Sequence, residues 1–275
     1  MLNTAAALIF AGMSVEALRN VHVMRYVVPL REGGSLPAIA EADDGFLYVI
    51  KFRGAGQGAK ALVAEIIGAE TARALGLKIP EVVVAHLDEA FGRTEPDEEI
   101  QDLLKASTGI NVGLHYLSGS ITFDVAVSEV DGETASKIVW LDAFSFNVDR
   151  TARNTNMLMW NKELWLIDHG ASLYFHHNWD SMETYIHKPF SQIKDHVLLK
   201  FATGLEAADA SAKSILTPEK IREIVQKVPD QLFEYYEVNA SPQQIREAYI
   251  KFFTERIADS QSFLNLAVHE QKLFV

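Results

Sequence analysis

The chain contains no cysteine, which excludes disulfides and thiolate metal sites and suits a cytoplasmic protein. It also lacks a long apolar run. The stretch Thr4-Ala5-Ala6-Ala7-Leu8-Ile9-Phe10-Ala11 is far short of the ~20 residues that a membrane-spanning helix needs. No basic n-region precedes it, so it does not read as a signal peptide; an extra N-terminal turn, or a true start at Met13, accounts for it. Positive charge is scarce: 25 Lys and Arg against 37 Asp and Glu leave a formal charge of −12. Nucleic acid is therefore not the expected partner, because binding it means neutralising phosphates over a basic footprint. There is no repeat, no low-complexity tract and no G-x-x-x-x-G-K-[ST] phosphate loop. What remains is ordinary globular composition, 48% apolar and 23% charged over 275 residues, enough for one large domain or two lobes with their own cores.

Read in order, the first part of the chain alternates strands with a single helix. Val21 to Val28 is β-branched and partly alternating. Ala38–Ala42 and Phe46–Phe52 flank Asp43-Asp44-Gly45, a hairpin signal. A helix is expected from about Lys60 to Leu75, with Leu62, Ile66, Ala69 and Ala72 on one stripe and Gly76 and Pro80 stopping it. Glu81 to Leu87 reads as a further strand, and Asp88 to Asp102 as acidic, solvated surface. The glycine-containing stretch Asn111 to Ser120 reads as a crossover between lobes. Helical periodicity runs from about Thr134 to Phe146, and beyond Asp180 the chain is mainly helical. Thr217-Pro218 and Ser241-Pro242 supply N-cap signals, and a closing helix carries Ile245, Tyr249, Phe252, Phe253 and Ile257. The expectation is an α+β chain: an N-lobe of antiparallel sheet and one helix over 1–112, a crossover over 113–120, and a helix-rich C-lobe over 121–275.

The stretch richest in chemistry follows Phe146. A polar loop holds Asp149 and Asn154, and an apolar run reaches Trp160. Asn161-Lys162-Glu163 then turns the chain into a second apolar run that ends on Asp168-His169-Gly170. The spacing Asp-x-x-x-x-Asn is that of a loop in which kinases place a base and a metal-binding amide, and an Asp at a later strand end is where they put a principal metal ligand. Asp149 can orient a hydroxyl or accept its proton. Asn154 and Asp168 offer hard oxygens suited to Mg²⁺. Taken singly, each also reads as a loop cap or a surface strand end.

Phosphoryl transfer also needs a cation on the phosphates. Lys51 sits in a strand with Ile50 and Phe52 on the opposite face, and reads either as that cation or as an edge lysine in solvent. Glu65 lies on the sheet-facing side of the next helix and is the expected partner; Glu70 lies off that side. Gly33-Gly34-Ser35 precedes the hairpin that leads to Lys51, and its backbone N–H groups and the Ser35 hydroxyl can approach phosphates. A rival is Gly54-Ala55-Gly56-Gln57-Gly58-Ala59, which fits G-x-G-x-x-A between a strand and a helix and would imply an NAD(P)-dependent oxidoreductase. The charged strand ahead of it and the hairpin turn before that strand speak for antiparallel pairing instead. His176-His177, with His169 and His187, do not have zinc-ligand spacing.

The whole pattern resembles the HipA-like kinases, which are distantly similar to protein kinases and phosphoinositide kinases. The likeness is carried by Arg31-Glu32-Gly33-Gly34-Ser35-Leu36-Pro37, Tyr48-Val49-Ile50-Lys51-Phe52, Leu62-Val63-Ala64-Glu65 and Leu75 to Pro80. It is strongest at Asn147-Val148-Asp149-Arg150-Thr151-Ala152-Arg153-Asn154 and Leu166-Ile167-Asp168-His169-Gly170. The resemblance implies a two-lobed kinase-like fold with ATP and Mg²⁺. It implies Asp149, with its neighbour Arg150, as catalytic, Asn154 and Asp168 as metal ligands, and Lys51 as the phosphate-binding lysine with Glu65. It further implies a protein Ser or Thr hydroxyl as acceptor and Ser35 as a candidate for self-modification. His169 stands where protein kinases have Phe, and Thr151 where phosphoinositide kinases often have His, which makes a lipid substrate less attractive. A nucleotide-binding module without turnover stays open as an alternative.

Overall fold

The computed structural model describes residues 16–30, 36–91 and 96–274. The first five long strands are β1 (Asn20–Pro29), β2 (Ala38–Ala42), β3 (Leu47–Lys51), β4 (Val82–Leu87) and β5 (Gly109–His115). They form a closed barrel in the order β1-β2-β3-β5-β4. The turn that reverses β2 into β3 uses Gly45 at φ 80, with its N–H on the Ala42 carbonyl at 3.0 Å; a left-handed turn position suits a residue without Cβ. Most neighbours are antiparallel, as the hairpin signal implies. The exception is β1 with β4, which pair in parallel from Asn20↔Val84 to His22↔His86. That contact, three residues long, closes the sheet into a barrel. Inside lie Val21, Val23, Ala38, Ala40, Tyr48, Ile50, Val83 and Ala85.

Helix α1 (Ala59–Ala74) spans the gap between β3 and β4 and is buried almost all round. A helix apolar on every side must be covered on every side. The barrel covers one side of α1, and the helices of the second half cover the rest, so its residues share a core with Ile138, Leu141, Ile221, Ile224 and Phe253. Two carboxylates lie inside this helix. Glu70 meets Lys227 at 2.5 Å and Arg73 at 3.2 Å; Glu65 belongs to the site below.

The end of the acidic stretch read as solvated surface, Glu98 to Asp102, opens α2 (Glu98–Ala106). The Asp97 carboxylate caps it, accepting from the Glu99 N–H at 3.0 Å and the Ile100 N–H at 3.4 Å, while Ile100 and Leu104 close one end of the barrel. Of the stretch read as a crossover, Asn111 to His115 belongs to the barrel strand β5, and Tyr116 to Ser120 leads on to β6 (Ile121–Thr122).

The second half opens with α3 (Gly132–Ser145), whose left-handed C-cap Phe146 turns the chain into the polar loop. The expected hairpin is β7 (Met157–Trp160) and β8 (Glu163–Leu166), extended by β6 in the order β6-β7-β8. Helices α4 (Met182–Ile186), α5 (Leu205–Ile215), α6 (Pro218–Gln226), α7 (Asp230–Glu234) and α8 (Pro242–Ala258) follow. Thr217 caps α6, and Ser241 with Gln244 forms a capping box at α8. The chain does not end on α8: it turns at Asp259–Ser260 into α9 (Gln261–Lys272), which buries Phe263, Leu264 and Ala267. Among the described residues no helix is long and apolar enough to cross a membrane.

Candidate active site

The alternation of β3 sends Tyr48 and Ile50 into the barrel and Lys51 to the other side, toward α1. There the Lys51 ammonium donates to Glu65 Oε2 at 2.5 Å and to Asp168 Oδ1 at 2.6 Å. Glu65 has no exposed surface, and the same oxygen accepts the His169 backbone N–H at 2.8 Å. One carboxylate thus ties together β3, α1 and the end of the β7–β8 hairpin. Burial alone would raise the Glu65 pKa; the Lys51 ammonium and the His169 bond outweigh it and hold the group at about 2. Burial likewise opposes the charge on Lys51, and its two carboxylates win, so its pKa is pushed up.

Asp168 is left-handed at φ 55, which costs a non-glycine residue of order 1 kcal/mol. Its neighbours hold it there: the Ile167 N–H bonds the Asn156 carbonyl at 3.0 Å, and His169 is pinned to Glu65. The His169 ring packs directly over Gly68 of α1, where an added Cβ would lie 2.6 Å from the His169 Cβ. The sequence reading missed Gly68, because a glycine inside an otherwise good helix betrays nothing about what crosses it.

The loop from Asn147 to Asn156 gathers around Asp149. Its Oδ2 accepts from Asn154 Nδ2 at 2.9 Å and from Asn156 Nδ2 at 3.1 Å, and its backbone N–H donates to Asn147 Oδ1 at 3.2 Å. Both side-chain bonds fall on one carboxylate oxygen. Asn156, at φ 47, was not singled out from the sequence; a second Asn two positions after Asn154, a residue type that tolerates left-handed backbone, was the available signal.

Arg150, expected beside Asp149 as a catalytic group, lies inside the protein. It is 1% exposed, with Nε on Asp142 Oδ2 at 2.6 Å and Nη1 on the Asn156 carbonyl at 2.5 Å. A guanidinium so enclosed holds the loop rather than meeting a substrate. Gly33, Gly34 and Ser35 lie outside the described residues. The Gly54–Ala59 stretch is not a dinucleotide loop. Its strand β3 runs antiparallel to both neighbours, and Gly54 packs against the end of α2, where a Cβ would lie 2.7 Å from that of Ala106. A Rossmann unit needs a parallel strand and a loop open to the pyrophosphate.

Lys51, Glu65 and Asp168 are thus in contact, and the Ile167–Asn156 bond joins the end of the hairpin to the loop that holds Asp149 and Asn154. A family model described as HipA-like kinase matches residues 23–264. The chain belongs to the HipA-like kinase family. Among solved structures, this HipA-like kinase is similar to the Helicobacter pylori proinflammatory kinase CtkA, with a TM-score of 0.52 at 11% identity over 94% of this chain and 99% of that one. At that identity the likeness speaks for the fold, a two-lobed kinase fold. The Golgi casein kinase with Mn/ADP bound aligns with a TM-score of 0.45 at 11% identity, over 92% of this chain and 75% of that one. No curated protein matches the chain.

Proposed function

We propose that this HipA-like kinase transfers the γ-phosphoryl group of ATP to a Ser or Thr hydroxyl of a protein, with Mg²⁺ as its metal. The observation that carries the reading is the Lys51 ammonium shared between Glu65 of α1 and Asp168 at the hairpin end. It supports the reading because an ammonium for the phosphates and a carboxylate for the metal would have to lie side by side. On this reading Lys51 engages the phosphates and Glu65 holds the lysine in place. Asp149 orients the acceptor hydroxyl and takes its proton, using the carboxylate oxygen not engaged by Asn154 and Asn156. Arg150 positions the loop from below. The assignment of Gly33, Gly34 and Ser35 to the phosphates, with Ser35 as a site of self-modification, rests on the sequence. The protein acceptor rests on the family resemblance.

Asn154 and Asp168 have the chemistry to hold the metal. Asp168 is partly exposed and commits one oxygen to Lys51, and Asn154 uses its amide nitrogen, not its oxygen, on Asp149. Among the described residues no group of three or more His, Asp or Glu could hold a metal ion unaided. Mg²⁺ suits such a sparse donor set, since it keeps waters and takes phosphate oxygens. When bound, it neutralises phosphate charge.

The test is ADP release and intact mass after incubation with ATP and Mg²⁺. Asp149→Ala and Asp168→Ala are each expected to abolish turnover while the fold persists. Full turnover in either variant refutes the assignment of that residue. Thermal stabilisation by NAD(P) and not by ATP–Mg²⁺ would refute the nucleotide assignment.

A further inference from the structure

Beneath the Asp149 loop lies a buried polar cluster that phosphotransfer does not itself touch. At its centre is Asp142 of α3, without exposed surface. Its Oδ2 accepts from Arg150 Nε at 2.6 Å and pairs with His196 Nε2 at 2.8 Å; its Oδ1 accepts from Asn147 Nδ2 at 3.0 Å. Burial works against the Asp142 charge, but Arg150 and the His196 bond prevail and hold its pKa down at about 2.

His196 comes from a distant part of the chain, just past the short 3-10 turn Ser191–Asp195. Its Nδ1 accepts the Leu198 backbone N–H at 3.0 Å. An amide N–H needs a lone pair, so Nδ1 carries no proton, and the proton that bridges to Asp142 sits on Nε2.

The cluster grips both sides of Asp149. Asn147, held by Asp142, turns its carbonyl oxygen to the Asp149 N–H. Arg150, held by the same carboxylate, fixes the Asn156 carbonyl, and the Asn156 amide returns to Asp149 Oδ2. The His196 segment is also joined to the loop through its backbone, by the Val197 N–H on the Arg150 carbonyl at 3.1 Å and a β-bridge from Thr151 to His196.

We propose that Asp142 and His196 are positioning residues for Asp149, His196 acting as a neutral imidazole that links the Leu198 N–H to the Asp142 carboxylate. The kinetic consequence rests on the phosphotransfer reading; the tautomer does not. Long-range ¹H–¹⁵N correlation spectra of the full chain read the ring directly, with His196→Gln giving the assignment. The proton is expected on Nε2, and a ring protonated at Nδ1 or at both nitrogens overturns the proposal. ADP release and melting curves then compare wild type with His196→Ala and His196→Gln. The Gln amide can still donate to Asp142. Since a misplacement of about 1 Å costs on the order of 100-fold, the Ala variant is expected to lose ~10- to 100-fold in kcat with nucleotide KM within ~2-fold. The Gln variant should return to within ~3-fold of wild type. Equal losses in both folded variants, or a loss confined to KM, overturns the positioning role. A wild-type chain without turnover refutes the phosphotransfer reading instead and leaves the ring spectrum to decide the cluster.

Discussion

Replacing Lys51 with Met removes the cation between two carboxylates of unequal exposure. Glu65 is fully buried, Asp168 is 39% exposed, and the lysine itself is 16% exposed. Breaking a fully buried pair by deleting one partner costs ~3–5 kcal/mol. Glu65 keeps the His169 N–H and Asp168 can be solvated, so the expected cost near neutral pH is about 2–3 kcal/mol. For a chain of this size that is a drop of roughly 5–10 °C in melting temperature. The pH dependence carries the sharper signature. In the wild type the Glu65 pKa is lowered from 4.5 to about 2, so its contribution is full above 4.5 and is lost as pH falls toward 2. Without Lys51, burial raises the pKa above its unfolded value. The variant's stability then falls as pH rises through that range, and the gap to wild type is wider near neutral pH than in mild acid. Urea unfolding at about pH 7.5 and about pH 5 measures this gap. Adding Glu65→Gln removes the stranded charge and keeps an acceptor for His169, so the double variant should recover most of the loss. A gap that does not change with pH, or losses that simply add in the double variant, would refute the buried Lys51–Glu65 pair.

Other consequences follow from single features. Gly68→Ala forces a methyl group against His169, 2.6 Å from its Cβ; the expected loss is about 1–3 kcal/mol, with a fall in ADP release, and a neutral melting curve would show that the Asp168 turn does not lean on α1. Arg256 has no exposed surface and bonds five backbone carbonyls, those of Ala143, Phe144, Tyr185, Ile186 and Lys188, while stacking on Phe146 at 3.9 Å. Arg256→Met should therefore cost roughly 3–5 kcal/mol in urea unfolding, and Arg256→Lys should not rescue it, because an ammonium cannot reach both helix ends. In acid, the contribution of Asp142 is full above its unfolded value of 3.8 and is lost as pH falls toward about 2. An acid titration followed by circular dichroism should show Asp142→Asn less stable than wild type near neutral pH, with the difference shrinking below pH 3.8.

Local signals in the sequence correspond to local structure. The Asp43-Asp44-Gly45 turn, the stripe Leu62–Ile66–Ala69–Ala72, the Thr217 and Ser241 caps and the hairpin before Asp168 all depend on neighbours within a few residues. Barrel closure does not: the β1–β4 pairing joins Asn20 to Val84 across the whole of α1, and no pattern in either strand names the other. Helix α2 was hidden because two buried residues, Ile100 and Leu104, sit among acidic ones. At the site, Glu65 was legible because helical spacing aimed it at the sheet. The role of Arg150 was not, because adjacency to Asp149 says nothing about direction, and only the fold brings Asp142 and His196 under the loop. Asn156 and Gly68 likewise gain meaning only from what packs on them.

On the proposed reading, Lys51, Asp149, Asn154 and Asp168 act on ATP and a metal as one site. The most direct measurement is transfer of labelled γ-phosphoryl from ATP in the presence of Mg²⁺, read as ADP release and as mass gain on the chain, for wild type and Asp168→Ala side by side. Mg²⁺-dependent ADP release is expected from wild type and none from the folded variant. Equal release by both, or release indifferent to Mg²⁺, would contradict that reading.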